Sequence, residues 1–136
     1  MLDMEVRMPL VQVSLRHGKP AHYRKAILDG IYAALRETFD VPEDDRFMTI
    51  SEHDAENFSY AAAYLGIART DDLLIIQVTV SNTRSAEQKK ALYSRIVANL
   101  ASDPGVRPED VLINLVEVAR ENWSFGRGVA QYVEGT

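Results

Sequence analysis

Two segments of the chain carry the same order of elements, and that doubling restricts the fold more than any other feature. An apolar run at residues 10–15 (LVQVSL) follows Pro9, then a helical stretch, then VPED at 41–44, then a second run at 47–52 (FMTISE). About 65 residues later the order returns: LIIQVTV at 74–80, a helix opening at Ser85, VRPED at 106–110 and VLINLVE at 111–117. A strand that passes through a helix into another strand makes a parallel pair by a right-handed crossover. Two such units predict an α/β (α+β) domain with a pseudo-twofold axis. Its four-stranded, mainly parallel sheet carries both helices on one face. The other face is expected to stay apolar and uncovered, which predicts self-association. This arrangement puts Pro9 at a sheet edge, opposite the junction that carries Arg84.

The chain of 136 residues is the size of one domain, and 46% hydrophobic content suffices for a core. Residues 9–136 are read as that domain and residues 1–8 as an extension. A net charge of −5 argues against nucleic acid as a partner. No apolar run reaches the ~18–20 residues of a membrane span, and MLDMEVRM lacks the apolar centre of a signal peptide. With no cysteine there is no disulfide or thiolate nucleophile. These features together predict a cytoplasmic protein. His17, His22 and His53 show no paired metal spacing. His53, on the second strand, reads as a structural histidine.

Gly18, Lys19 and Pro20 predict a turn, with Pro20 at the first helical position. Tyr23, Ile27, Ile31 and Leu35 recur every four residues, the buried face of a helix reaching about Phe39. Residues 40–45 read as a loop and 54–72 as a short hairpin or excursion. Ser85 and Gln88 form a capping box for the second helix. Leu92, Ile96 and Leu100 line its apolar face, and Asp103-Pro104-Gly105 ends it. In the tail, WSFG at 123–126 precedes a strand-like run at 129–133.

Several side chains have chemical potential. Arg84 precedes a helix amino terminus, where the dipole favours anions and disfavours a cation. A bound carboxylate removes that conflict, since a guanidinium grips carboxylates bidentately; the alternative is a solvated loop arginine. Pro9 follows Met8. Were the chain to begin at Pro9, its free amine would titrate near neutral pH and serve as a general acid or base. Otherwise it is an edge-strand proline that donates no ladder bond. Asp45 is either a solvent-facing loop acid or a carboxylate that holds water or a substrate hydroxyl. Trp123 and Phe125 either wall an apolar pocket or serve core or subunit packing.

These motifs resemble the tautomerase superfamily, most closely its malonate semialdehyde decarboxylases. The likeness runs from Pro9 to the end, through VPEDDRF, RSAEQKKALY, RPEDVLI and ENWSFGRGVAQY. It implies a homotrimer with an amino-terminal proline in each active site. By that resemblance Pro9 matches the catalytic proline and Asp45 the catalytic aspartate. Arg84 matches the second of two substrate-binding arginines, and Trp123 and Phe125 the hydrophobic wall. Asn82 stands where the decarboxylases carry their first arginine, so one cationic contact becomes a neutral amide. The implied activity is cofactor-free enol–keto isomerisation of a small 2-oxo acid. The alternatives are a decarboxylase or hydratase, and an inactive trimeric relative whose proline is blocked by residues 1–8. No metal or organic cofactor is expected, because a base, a cation and a dry pocket suffice. The partner is a small-molecule carboxylate.

Overall fold

A computed structural model describes residues 9–134; the extension at 1–8 and its Met8 lie outside the described residues. Strand β1 (Pro9–Arg16) leads through helix α1 (Ala21–Phe39) to β2 (Met48–His53). Strand β3 (Leu74–Ser81) leads through α2 (Ala86–Ser102) to β4 (Val111–Val118), and a one-turn helix α3 (Gln131–Glu134) ends the described chain. Within each unit the strands pair in parallel, β1 with β2 and β3 with β4. The units join through an antiparallel β1–β3 ladder, giving the order β2-β1-β3-β4.

That junction corrects the position expected for Pro9. β1 lies in the middle of the sheet, not at its edge, because the first strands of the two repeats pair with each other. Pro9 is tolerated there as the first residue of its strand, opposite Val80.

Alternation along β1 and β3 builds the core. Val11, Val13 and Leu15 share a face with Ile76, Val78 and Val80, and all are buried. Ile27, Ile31 and Leu35 of α1 and Leu92, Ile96 and Leu100 of α2 cover them. The expected helix faces are therefore the packed ones, although α1 begins at Ala21 with Pro20 as its cap rather than its first residue. Gly30 sits where the two helices touch: a Cβ there would lie 2.9 Å from Leu100 Cδ2. Asn99 Nδ2 donates to the Gly30 carbonyl at 3.0 Å across the same contact. Both halves of the Ser85–Gln88 capping box are formed. Among the described residues no helix is long and apolar enough to cross a membrane.

Among the described residues no helix covers the opposite face, but it is not the apolar surface expected. Thr49, Gln12, Gln77 and Asn114 are neighbours across the four strands, and Gln77 Nε2 donates to Asn114 Oδ1 at 3.2 Å. This polar row separates Leu10 and Val116 from Ile75 and Leu112. Residues 54–72 form an excursion with two 3₁₀ turns, Ala55–Asn57 and Tyr64–Gly66, and no hairpin. Arg69 donates to the carbonyls of Ala61, Tyr64 and Ile67, which folds the excursion on itself. Buried Asp110 anchors its end, accepting from Thr70 N at 2.8 Å and Thr70 Oγ1 at 2.6 Å. The run at 129–133 is not a strand either. Gln131 bonds back to Phe125 N and Gly126 O, and Glu134 accepts from Ala130 N, contacts that wind α3.

Candidate active site

The topology gathers one end of the sheet. β1 and β2 begin there, β3 and β4 finish there, and with them come the carboxyl end of α1 and the amino end of α2. Pro9, Asp45, Ser81, Asn82, Arg84 and the segment after β4 that holds Trp123 and Phe125 therefore share that end.

Pro9 is buried on the helix-covered face, in line with Val11 and Val13. Its register partner is Val80, the residue before Ser81. Beyond Ser81 the chain turns sharply: Thr83 N donates to Ser81 O at 2.9 Å, and Asn82 N to Val118 O at 3.1 Å. Asn82 is exposed at this turn.

Arg84 is only 9% exposed, which excludes the solvated reading. Its guanidinium turns away from the positive end of its own helix. Nη2 donates to the carbonyl of Phe39 at 2.9 Å, and the group stacks over the Phe39 ring at 4.7 Å. Phe39 is the last residue of α1, so the cation caps the negative end of the other helix. The conflict with the α2 dipole is thus relieved within the protein.

Asp45 is half-buried at a turn in which its N–H donates to Pro42 O at 3.1 Å. Burial raises its pKa from 3.8 to about 6; Asp44 adds to the rise, and the charge of Arg84 opposes it. Asp45 is therefore neither a fully solvated loop acid nor a neutralised ion pair, but a carboxyl group that changes charge near neutral pH.

Trp123 and Phe125 stack at 5.5 Å with planes 16° apart, and Tyr132 meets Phe125 edge-on at 4.8 Å. Sequence reasoning missed Tyr132 because 129–133 looked like a strand. It also missed Ser81, the fully buried last residue of β3. A serine closing an apolar run was the available signal. Three buried side-chain atoms make no hydrogen bond among the described residues: Asp45 Oδ1, Ser81 Oγ and Trp123 Nε1. All three residues belong to this sheet end. His53 lies at the other end, with its ring 6.0 Å from that of Phe58. Among the described residues no three His, Asp or Glu side chains are grouped as a metal site requires.

The tandem β-α-β units, joined through their first strands into one four-stranded sheet with two helices on one face, are the tautomerase class of fold. Residues 45–126 and 9–66 match two family models, each described as tautomerase enzyme. The Bacillus subtilis (strain 168) protein named Probable tautomerase YusQ is 42% identical, over 93% of this chain and all of its own length. Probable tautomerase YrdN of the same organism is 34% identical, over 94% of this chain and 98% of its own. Two solved malonate semialdehyde decarboxylases superpose with TM-scores of 0.86 at 34% and 36% identity. Each alignment covers 93% of this chain, with 97% and 95% of the decarboxylase chains. A fused 4-OT described as a symmetric trimer shares the fold at 18% identity, TM-score 0.73, over 88% of this chain and 94% of its own. The chain belongs to the tautomerase family.

Proposed function

We propose that the protein is a cofactor-free tautomerase for the enol form of a small 2-oxo acid, working from Pro9 as a free amino-terminal amine. The neutral amine takes the enol hydroxyl proton, and the ammonium so formed returns a proton to the carbon. The C=C bond becomes single as the C–O bond becomes a carbonyl, and the amine is regenerated. Arg84, with Asn82 at the same turn, holds the substrate carboxylate. Asp45 positions the enol hydroxyl or a water. Trp123 and Phe125 keep water from the amine, which holds its pKa near neutrality. General acid–base transfer contributes ~10²–10⁴-fold, so orientation by these groups supplies the remainder.

The observation that carries this reading is the burial of Pro9 at the head of a central strand, at the one sheet end that also holds Asp45 and Arg84. The reading requires a mature chain that starts at Pro9 and assembles as a homotrimer. The test is ketonisation of enolpyruvate by protein beginning at Pro9, with intact mass of the natural protein to locate its first residue. An unchanged rate in Pro9→Ala, or a natural mass that includes residues 1–7, sinks it.

A second reading, decarboxylation of malonate semialdehyde, draws on the two solved decarboxylases at 34% and 36% identity. There a protonated Pro9 polarises the aldehyde oxygen while Asp45 positions water. That route needs a Pro9 pKa above neutrality, about 8 or more for the charged form to dominate at pH 7. An NMR titration of the Pro9 nitrogen giving a value near 6 excludes it.

A further inference from the structure

Buried polar atoms in folded proteins nearly always have a hydrogen-bond partner, and each that lacks one calls for an explanation. Among the described residues three side-chain atoms fall in that class, and all belong to the Pro9 end of the sheet. Asp45 already has a role in the proposed reaction. Ser81 Oγ and Trp123 Nε1 have none. The chain arranges both with care: Ser81 closes β3 beside Val118, and Trp123 follows β4 after a single 3₁₀ turn, Arg120–Asn122. An indole N–H can only donate, and a serine hydroxyl can donate while it accepts. An apolar wall needs neither; phenylalanine and alanine would serve it without burying an unmet donor.

We propose that Ser81 Oγ and Trp123 Nε1 are binding residues that donate hydrogen bonds to an oxygen of the substrate. On this view the Trp123 ring is both wall and polar contact, and the pair selects substrates that carry an oxygen where an apolar analogue has none. Sites built to hydrogen-bond a substrate reject analogues that leave those groups unmet. The inference rests on the 2-oxo acid reading for its ligand class, but not on proton transfer by Pro9.

Oxalate, a planar dianion that resembles the enolate of a 2-oxo acid and has no carbon-bound proton to move, separates the two. Trp123 is the single tryptophan of the chain, so its emission reports oxalate binding to protein beginning at Pro9 directly. Ser81→Ala should weaken oxalate about tenfold, the equivalent of one lost hydrogen bond, and leave the melting temperature unchanged or higher. Replacing the Trp123 indole by its benzothiophene isostere keeps the ring shape and removes the N–H. Calorimetry should again give about a tenfold loss. Affinities within twofold of the parent in both variants overturn the proposal. A lower melting temperature in Ser81→Ala does so too, because it shows the hydroxyl serving the fold. Absence of oxalate binding to the parent at millimolar concentration is equally fatal. A silent Pro9→Ala result in the ketonisation assay would remove the proton-transfer reading and leave these outcomes standing.

Discussion

Replacing Asp45 by asparagine separates stability from activity at a single group. Burial and Asp44 hold the Asp45 carboxyl at about 6, against an ordinary value of 3.8, despite the opposing charge of Arg84. The folded protein therefore keeps this proton to higher pH than the unfolded chain does. Protonation favours the folded state, so the group burdens stability least below pH about 4. The penalty grows as pH rises through about 6 and is complete above it. At about 1.4 kcal/mol per pH unit the ceiling is about 3 kcal/mol. Asp45 is only half-buried, and solvent screening reduces the expected effect to about 1 kcal/mol. The amide of the variant does not ionise. In urea unfolding at pH 4, 5, 6 and 7.5, the stability difference between Asp45→Asn and parent should therefore move in the variant's favour by about 1 kcal/mol. Taking the difference at each pH cancels the other titrating groups. A flat difference, or one that turns against the variant as pH rises, refutes the assignment of a raised pKa. The same variant should lower the rate of enol ketonisation by about tenfold or more, since misplacing a reacting group can cost ~10²-fold. Gain in stability with loss of activity is the pattern of a carboxyl retained for chemistry.

Asp110 has the opposite character. It is fully buried and accepts two bonds from Thr70 and one from Arg107 at 3.3 Å. Asp110→Ala should lower unfolding stability by about 3 kcal/mol, since charge-assisted bonds contribute ~1.5–3 kcal/mol. It should also raise hydrogen exchange across residues 54–72, and unchanged protection there would count against the anchor. Gly30→Ala should destabilise by about 1–2 kcal/mol in spite of better helix propensity, because the new methyl presses on fully buried Leu100; a higher melting temperature would show that the helix contact can relax. Ser85→Ala removes the side-chain half of the capping box and should cost about 1 kcal/mol by chemical denaturation. No loss would mean that the Gln88 side chain alone secures the start of α2.

What could be read along the chain and what could not divides by the range of the interaction involved. The face of α1 through Ile27, Ile31 and Leu35 was legible because one helical period repeats it, and Ser85 with Gln88 was legible because a cap spans three residues. The central place of β1 was not. Pairing of Pro9 with Val80 joins strands from different repeats, and no local pattern records which strand of a repeat lies innermost. The same limit hid the mixed character of the open face, since Thr49, Gln12, Gln77 and Asn114 align only after that register is set. Arg84 shows the point at the site itself. Its position before a helix amino terminus implied a missing anion, and the dipole argument behind that inference is sound. Yet the guanidinium directs its charge to the carboxyl end of α1, where Phe39 lies 45 residues away in sequence. That contact does not remove Arg84 from the proposed chemistry; together with the donation of Nη1 to Thr83 Oγ1 it fixes the planar group before any carboxylate arrives. A cation anchored in this way loses little conformational freedom on binding. The tandem fold, which brings the end of one helix to the start of the other, is therefore the physical basis of the clamp proposed beside Pro9.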